Sequence, residues 1–188
     1  MSDPSQQTLA AAAAGDAQAW RQIVGAYSGR VYGLLYRQCG NGDLAEEMTQ
    51  ATFAKVVSKL ADYDEQGRFE AWLFRVAVNR LRDELRRRKR HAVPVDFDAT
   101  PPEALGQYAD GPSPQQSMEQ DERIEALRQA MTQLPAADRE LLELRYTAEL
   151  SFAQIAEVLN QPLGTVLARG HRALKKLRAM LEDAEPPE

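Results

Sequence analysis

Apolar residues recur at helical spacing along most of the chain. Phe152, Ile155, Ala156 and Leu159, for example, occupy positions i, i+3, i+4 and i+7, which is the spacing of one buried helix face. Glycine and proline are scarce inside such segments, and runs of β-branched residues are few. The pattern therefore predicts an all-α protein.

A helix-turn-helix is predicted near the C-terminal end. Ser151 precedes Gln154 by three residues, a capping-box pattern that begins a helix. Asn160 tolerates the left-handed conformation that ends a helix. Pro162 prevents continuation and opens the next helix, which starts near Gly164. A short helix, a tight turn and a second helix form this motif, whose second helix enters the major groove of DNA.

The second helix of the motif is strongly basic. No acidic residue lies between residues 161 and 180, and this one-sided positive charge favours nucleic-acid binding. The alternative is a plain helical hairpin whose basic face is only solvated. The cations of the segment are Arg169, Arg172, Lys175, Lys176 and Arg178.

The first forty or so positions predict three short helices from their apolar periodicity. The first covers residues 9–14 and is ended by Gly15, after which Asp16 caps the next helix. That second helix carries the apolar residues of 20–27, and a separate third helix carries those of 31–35.

A longer helix is predicted over residues 44–60. The Asn41-Gly42 pair before it is a strong turn signal, and Asp43 opens the helix. One side of the helix is apolar and faces the core. The patch that points elsewhere is polar and acidic, and consists of Glu46, Glu47 and Gln50.

The helix that begins at Phe69 carries positive charge on one side. Its inner face is apolar, while its outer side bears cations spaced by three and four residues and ends in the basic run 86–90. Nucleic-acid binding and a merely solvated charged face both fit this stripe. Trp72 and Phe74 lie in the same segment, where aromatic rings either stack on unpaired bases or pack in the core.

The middle of the chain has the composition of a linker. Residues 92–122 contain no Lys or Arg, and prolines alternate with acidic residues there. Such a composition does not bury a core. We therefore expect two small helical domains, at residues 8–91 and 117–182, joined by a flexible, acidic, proline-rich linker at residues 92–116.

The net charge of the chain does not show how unevenly its charged residues are distributed. The chain of 188 residues has a formal net charge of -5, which argues against a uniformly basic nucleic-acid coat. Positive charge gathers instead near residues 75–90 and 169–178. The distribution of charge along the chain is therefore more informative than the net charge.

The sequence argues against an enzyme or a metalloprotein. Cys39 is the only cysteine, so no intramolecular disulfide and no cysteine-based zinc cluster is expected. Cys39 is either a small buried hydrophobe or a redox-sensitive thiol. His91 and His171 have no Cys, His or acid at metal spacing. We expect no catalytic residue, no metal and no cofactor.

No segment approaches a membrane span or a signal-peptide core. Together with the cysteine usage, this leads us to expect a soluble protein that stays in the reducing cytosol.

Three sequence blocks carry a resemblance to one protein family. AEEMTQATFAKV (Ala45–Val56) is similar to region 2.2 of bacterial extracytoplasmic-function sigma factors, the minimal sigma-70 group with only regions 2 and 4. RFEAWLFRVAVNRLRDELRRRKR (Arg68–Arg90) is similar to their regions 2.3 and 2.4. LPAADRELLELRY, followed by LSFAQIAEVLNQPLGTVLARGHRALKKL, resembles region 4.

The resemblance implies two compact helical domains and a non-enzymatic role. Such a factor binds core RNA polymerase, directs it to specific promoters and helps melt the −10 region, often in response to stress. The implied partners are the β′ coiled coil and the β flap of core polymerase, promoter DNA and an anti-sigma factor. The implied location is the cytoplasm, at the nucleoid when the factor is active, or near the membrane where the anti-sigma factor is membrane-bound.

In the family, the region 2.2 helix docks on the β′ coiled coil. Exposed carboxylates suit this role, because they pair with arginines in a bidentate manner. Ala51 stands where the family usually has an acid, so one contact is expected to be absent. The role carries over onto Glu46, Glu47, Gln50 and Phe53.

Region 2 of the family captures the −10 element as single-stranded DNA. The loop at residues 62–68 would hold an extruded base, and Asn79 and Arg80 match family positions that contact this element. The other cations of the helix would track phosphates, and these are Arg75, Arg82, Arg86, Arg87, Arg88, Lys89 and Arg90.

Region 4 of the family reads the −35 element with its second helix. Arg169 or Arg172 would fork onto a guanine. The residues in the groove-facing phase are Thr165, Ala168, Arg169 and Arg172, and those better placed for phosphates are Lys175 and Lys176.

The basic helix departs from the family pattern at three positions. Leu167 replaces a cation and Ala168 replaces a hydroxyl, which puts one or two DNA contacts in doubt. Gly170 in mid-helix costs about 1 kcal/mol relative to Ala. It either permits close packing on a neighbouring helix or marks a weaker reader of the −35 element.

A stand-alone helix-turn-helix regulator is the alternative to a sigma factor. Its first half would be a sensing or dimerisation module, which has no need of the acidic patch or the basic stripe. For a sigma factor, the linker permits the two domains to be clamped together or spread over polymerase. We also consider that the acidic linker folds against the basic faces and suppresses DNA binding in the absence of polymerase.

Overall fold

The structure is a computed structural model that describes residues 4–63, 67–91 and 114–182. All regular secondary structure in these ranges is helical, which confirms the all-α expectation. Most of the predicted linker lies outside the described residues. The elements are α1 (Gln6–Ala13), α2 (Ala17–Cys39), α3 (Gly42–Lys59), a short 3-10 turn (Leu60–Asp62), α4 (Phe69–His91), α5 (Pro114–Gln133), α6 (Ala136–Tyr146), α7 (Phe152–Leu159) and α8 (Leu163–Glu182).

α2 is one continuous helix, so the expectation of separate helices over residues 20–27 and 31–35 is wrong. No proline separates the two apolar groups, and Ser28 and Gly29 between them are helical, so the groups continue on one face. The helix ends where Gly40 adopts a left-handed conformation with φ of 67°. The buried residues that define the shared face are Ile23, Tyr27, Val31 and Leu34.

α3 begins earlier than the sequence pattern indicated. Asn41 is extended, and its side-chain oxygen accepts a hydrogen bond from the backbone N–H of Leu44 at 2.8 Å. Gly42, which was expected in the turn, is the first helical residue. Asp43 lies inside the first turn, where its negative charge interacts favourably with the helix dipole. The cap is therefore an asparagine, which satisfies a free backbone donor.

α7 and α8 form the predicted helix-turn-helix. The Ser151 hydroxyl accepts a hydrogen bond from the backbone N–H of Gln154 at 3.2 Å. The side-chain oxygen of Gln154 accepts one from the backbone N–H of Ser151 at 2.8 Å, which confirms the capping box. Asn160 ends α7 in the left-handed conformation with φ of 52°, and Pro162 immediately precedes α8.

Gly170 is a packing residue in the middle of α8. It is buried, and a Cβ atom there would lie 2.8 Å from Cε1 of Phe152 and 3.4 Å from Cδ2 of Leu141. Side chains of α6 and α7 therefore occupy the space that a side chain at this position would need. Of the two explanations for this glycine, the structure supports close packing on neighbouring helices.

The two halves of the chain pack against each other. α4 lies against α7, and α2 contacts α6. Buried side chains from α1–α4 and from α6–α8 belong to one continuous hydrophobic core. At Gly33 of α2, a Cβ atom would lie 3.4 Å from Cγ2 of Thr147, the residue after α6. The helix-turn-helix is thus seated directly on the first four helices.

One carboxyl group is buried beside this contact between the halves. Glu143 of α6 is only 6% exposed. Burial raises its pKa to about 7, although the charges of Arg139 and of Arg37 on α2 act in the opposite direction. The nearby Glu140 raises the pKa further. The folded protein therefore holds this proton more tightly than the unfolded chain does.

Gly170→Ala should destabilise the C-terminal helices by about 1 kcal/mol, because the cost of overpacking exceeds the gain in helix propensity. Chemical denaturation followed by circular dichroism measures the change. Gly164→Ala is the matched control on the same helix, since nothing lies within 4 Å of its Cβ position. The control should be at least as stable as the parent protein. Equal stability of the two variants would contradict the packing role.

The free energy of unfolding should fall as pH rises from the unfolded pKa of Glu143 near 4.5 to its folded pKa of about 7. The loss should reach at most about 3 kcal/mol, because the stabilisation from the tighter proton binding of the folded state is complete below the unfolded pKa and is lost once the pH exceeds the folded pKa. Urea titrations at about pH 5 and about pH 8 measure the difference.

Glu143→Gln should remove this component of the pH dependence. Glu122→Gln is the control, because Glu122 is exposed on α5. If the Glu143 variant loses as much stability between the two pH values as the parent protein does, another group must be responsible.

Candidate nucleic-acid and partner interface

The outer face of α3 presents a polar ridge. Glu46, Glu47 and Gln50 are exposed, as the sequence predicted, and the Gln50 amide donates a hydrogen bond to Glu46 Oε1 at 3.2 Å. Phe53 differs from these three, because it is 9% exposed and belongs to the core. It is buried because it lies on the apolar side of α3, so it supports the ridge from behind. We define the acidic ridge as Glu46, Glu47 and Gln50.

α4 separates an apolar face from a cationic face. Phe69, Leu73 and Leu81 are fully or almost fully buried and fix the helix on the core. The opposite side is exposed at Arg75, Asn79 and Arg80 and throughout the run 86–90, whereas Arg82 is half-buried. The helix therefore exposes the predicted −10 residues other than Arg82 to solvent, while its apolar residues fix it on the core.

Several cations of α4 already have acidic partners within the protein. Glu84 accepts hydrogen bonds from Arg87 at 2.7 and 2.8 Å and from Arg88 at 2.7 Å. These hydrogen bonds lower the pKa of Glu84 to about 2. Arg88 also reaches Glu47 of the acidic ridge at 3.3 Å. The basic run and the ridge are thus adjacent surfaces with opposite charge.

Arg82 is held by the other half of the chain. Its Nη2 atom donates to both carboxylate oxygens of Glu140 on α6, at 2.7 and 2.8 Å. At the other end of the same interface, Arg68 Nε lies 3.7 Å from Glu157 Oε1 on α7. Two cations from the predicted −10 side of the protein are therefore paired with acids of the helix-turn-helix half. The sequence reading missed these acids, because nothing local marks Glu140 or Glu157 as a partner of α4.

An aromatic cluster lies where the predicted base-holding loop meets α4. The rings of Tyr63 and Trp72 stack with centroids 4.6 Å apart, and Tyr63 meets Phe69 edge to face. Trp72 is half-buried, but Phe74 is fully buried. Of the two aromatic residues noted in the sequence, only Trp72 is positioned at the surface. Tyr63 joins it there, and the sequence reading missed it. Residues 64–66 of this loop lie outside the described ranges.

α8 exposes most of its predicted groove-facing side. Its buried side is formed by Val166, Gly170 and Ala173. Arg169 is only 23% exposed at its side chain and lies 3.9 Å from Asp138 of α6, so it is less available than its neighbours. Leu167 is 45% exposed and adds an apolar patch to the same helix. The exposed residues of the predicted set are Thr165, Ala168, Arg172, Lys175 and Lys176.

The titratable residues that could suggest other chemistry are isolated. Cys39 is half-buried, its thiol donates to the backbone carbonyl of Asn41 at 3.3 Å, and burial raises its pKa. Within residues 4–63, 67–91 and 114–182, no group of three or more His, Cys, Asp or Glu side chains could hold a metal ion. No helix in that part of the chain is both long and apolar enough to cross a lipid bilayer.

Comparison with protein families assigns each half separately. Residues 23–91 match Sigma-70 region 2, and residues 124–177 match Sigma-70 region 4. The first match covers the acidic ridge and the whole of α4, and the second covers the helix-turn-helix. A match of the first half to region 2 favours a sigma factor over a stand-alone helix-turn-helix regulator.

Similar proteins and structures agree with this assignment. The chain is 34% identical to the ECF RNA polymerase sigma factor SigW of Bacillus subtilis, over 90% of this chain and 92% of that protein. It is 37% identical to the ECF RNA polymerase sigma factor SigE of Mycolicibacterium smegmatis, over 96% of this chain and 69% of that protein.

Two solved structures share the fold. CnrH, solved in complex with the cytosolic domain of CnrY, superposes with a TM-score of 0.67 at 22% identity, over 95% of this chain and 97% of that chain. The sigma factor RpoE of Bartonella quintana, solved with the anti-sigma factor NepR, has a TM-score of 0.65 at 21% identity, over 87% and 96%. This chain thus belongs to the extracytoplasmic-function group of sigma-70 RNA polymerase sigma factors.

Proposed function

We propose that this sigma factor uses three surfaces to start transcription, each on its own helix. The acidic ridge of α3 binds the β′ coiled coil of core RNA polymerase, the cationic face of α4 captures the −10 element, and α8 reads the −35 element. The observation that carries the proposal is the exposure of all three polar faces on helices whose apolar sides are fixed in a common core. The first two surfaces belong to the proposed domain at residues 8–91 and the third to the proposed domain at residues 117–182. Residues 92–116 are the proposed linker between them.

The acidic ridge suits a basic partner surface. Glu46 and Glu47 are neighbouring exposed carboxylates on a well-packed helix, and Gln50 steadies Glu46 by a hydrogen bond. Carboxylates held in this way can accept bidentate hydrogen bonds from arginines. Phe53 contributes by packing beneath the ridge, so its role is to position the helix.

α4 combines charge with polar side chains near an aromatic cluster. Exposed arginines track phosphates, and Asn79 and Arg80 face outward between them. Trp72 and Tyr63 form a half-buried stacked pair where the loop at residues 62–68 meets α4, and aromatic rings can stack on unpaired bases. Extruding a base costs a few kcal/mol of stacking, which these contacts would offset.

α8 suits reading of a duplex groove. Arg172 is exposed in the groove-facing phase, and a guanidinium can form two hydrogen bonds with the edge of a guanine. Lys175 and Lys176 are exposed on the following turn and reach phosphates. Because Ala168 and the exposed Leu167 offer only apolar contact, base discrimination rests mainly on Arg172, with the Thr165 hydroxyl as the second exposed polar group of the set.

A regulatory partner and a cellular location can be proposed from the relatives of similar fold. The two relatives of similar fold were solved with a bound anti-sigma factor or the cytosolic domain of a partner. We infer an anti-sigma partner for this chain as well, contacts to the β flap through its region 4, and a stress-responsive role. The location would be the cytoplasm, and the nucleoid during transcription.

Glu46→Lys together with Glu47→Lys should abolish promoter-dependent run-off transcription, because two attractive charges become repulsive at the polymerase contact. Co-purification with core polymerase at moderate salt should be lost in parallel. The control is Glu122→Lys, an exposed charge reversal on α5. Undiminished transcription by the double variant, with normal folding, would refute the role of the ridge.

Arg172→Ala and Lys176→Ala should weaken promoter binding by holoenzyme in different ways. The first should relax preference at one base pair of the −35 element by about 1–3 kcal/mol. The second should weaken binding to all sequences and reduce the log–log salt slope by about 0.9. Competition binding with single-base variants of the promoter, repeated over a salt series, separates the two effects. Identical behaviour of the two variants would contradict the assigned roles.

A further inference from the structure

We propose that Leu167 of α8 is a specificity-determining residue that recognises the methyl group of one thymine in the −35 element. The leucine stands where the family pattern has a cation, so this chain reads one base pair by apolar contact. The inference rests on the proposed function, because it requires α8 to lie in the major groove. It gives a role to a residue that the proposed function leaves without one, and it names the base that this residue favours.

The first support is the direction in which Leu167 points. Because each residue turns a helix by about 100°, Ala168 lies almost opposite the buried side of α8. Leu167 and Arg172 lie on either flank of Ala168, so the three residues border one outward surface. That surface is the one that a DNA groove would meet. The residues that form the buried side are Val166, Gly170 and Ala173.

The second support is the position of Leu167 along the helix. α8 begins at Leu163, so Leu167 lies at the start of its second turn. In a helix-turn-helix, the residues near the N-terminus of the second helix contact base edges. Lys175 lies about 12 Å further along the axis, where the proposed function assigns it to phosphates. Leu167 is therefore on the part of α8 that reaches bases.

The third support is the exposure of an apolar side chain within a cationic surface. Leu167 is 45% exposed, and the neighbouring Ala168 is exposed as well. No acidic residue lies between residues 161 and 180, so the surrounding positive charge attracts the phosphate backbone. This attraction brings the leucine against the groove. Contact with an apolar group there removes its side chain from water, which is favourable.

Thymine has the base edge that suits this side chain. Its C5 methyl group is the apolar group in the major-groove pattern of the base pairs. Cytosine presents an amino donor instead, and against a leucine that donor would lose its water without gaining a partner. Ala168 carries only a methyl group, which leaves room for the base edge to approach. Leu167 thus favours thymine by apolar contact and disfavours cytosine by an unpaired donor.

Replacement of thymine by deoxyuridine tests this contact, because deoxyuridine lacks only the methyl group. Holoenzyme first selects its −35 element from a duplex library that is randomised in this region. Each thymine of the selected duplex is then replaced singly, and binding is measured by competition. One replacement should weaken binding by about fourfold, which is the effect of losing the burial of one methyl group.

Leu167→Ala should abolish this discrimination, so that the thymine and deoxyuridine duplexes bind equally well. Library selection with this variant should also enrich thymine less strongly at the same base pair. The matched control is Leu174→Ala, because Leu174 is a 37% exposed leucine two turns further along α8. The control should keep the preference of about fourfold for thymine. Circular dichroism verifies that both variants are folded.

The outcomes separate this inference from the proposed function. If no single deoxyuridine weakens binding, or if Leu167→Ala keeps the preference for thymine, the inference is overturned. Loss of the preference in Leu174→Ala as well would also overturn it. If Leu167→Ala instead reduces co-purification with core polymerase and leaves the preference unchanged, the leucine serves a protein contact and the inference is wrong. Failure of the parent holoenzyme to select any element would refute the proposed function itself.

Discussion

The contact between α4 and α7 is the constraint on which the rest of the structure depends. It positions the helix-turn-helix and joins the cores of the two halves. Its polar centre is a buried carboxylate, Glu70, shared by Arg30 and Gln154. A buried ion pair contributes little net stability, since desolvation offsets most of its attraction. Its effect is to define a single arrangement of the two halves.

Acidic side chains of the protein pair with several cations of the surface proposed to bind DNA. Glu84 holds Arg87 and Arg88, and Glu140 holds Arg82. These partners neutralise part of the charge of α4. A DNA contact that uses Arg82, Arg86, Arg87 or Arg88 would therefore replace an existing ion pair. Exposed pairs are weak and screened by salt, so the exchange requires little free energy.

The sequence was most informative where structure is locally encoded. The capping box at Ser151 and Gln154, the left-handed Asn160 and the start of α4 at Phe69 depend on residues a few positions apart, and all were predicted. The prediction of a break within α2 was wrong, because the spacing of apolar residues alone does not show where a helix ends. The partners of Glu70 were unpredictable: its hydrogen-bond partner Gln154 lies 84 positions away. Glu143 is likewise buried only through contacts that folding creates.

The departures of α8 from its family pattern differ in consequence because they lie on opposite sides of the helix. Gly170 faces inward, and the space of its missing side chain is filled by Phe152 and Leu141. The packing of neighbouring helices therefore compensates for the side chain that Gly170 lacks. Leu167 and Ala168 are exposed, so no neighbouring residue replaces the cation and the hydroxyl that are absent there. Because Arg169 lies close to Asp138, the exposed polar side chains that remain in the predicted groove-facing set are Thr165 and Arg172, so we expect any hydrogen-bonded reading of a −35 element by this helix to depend on these two positions.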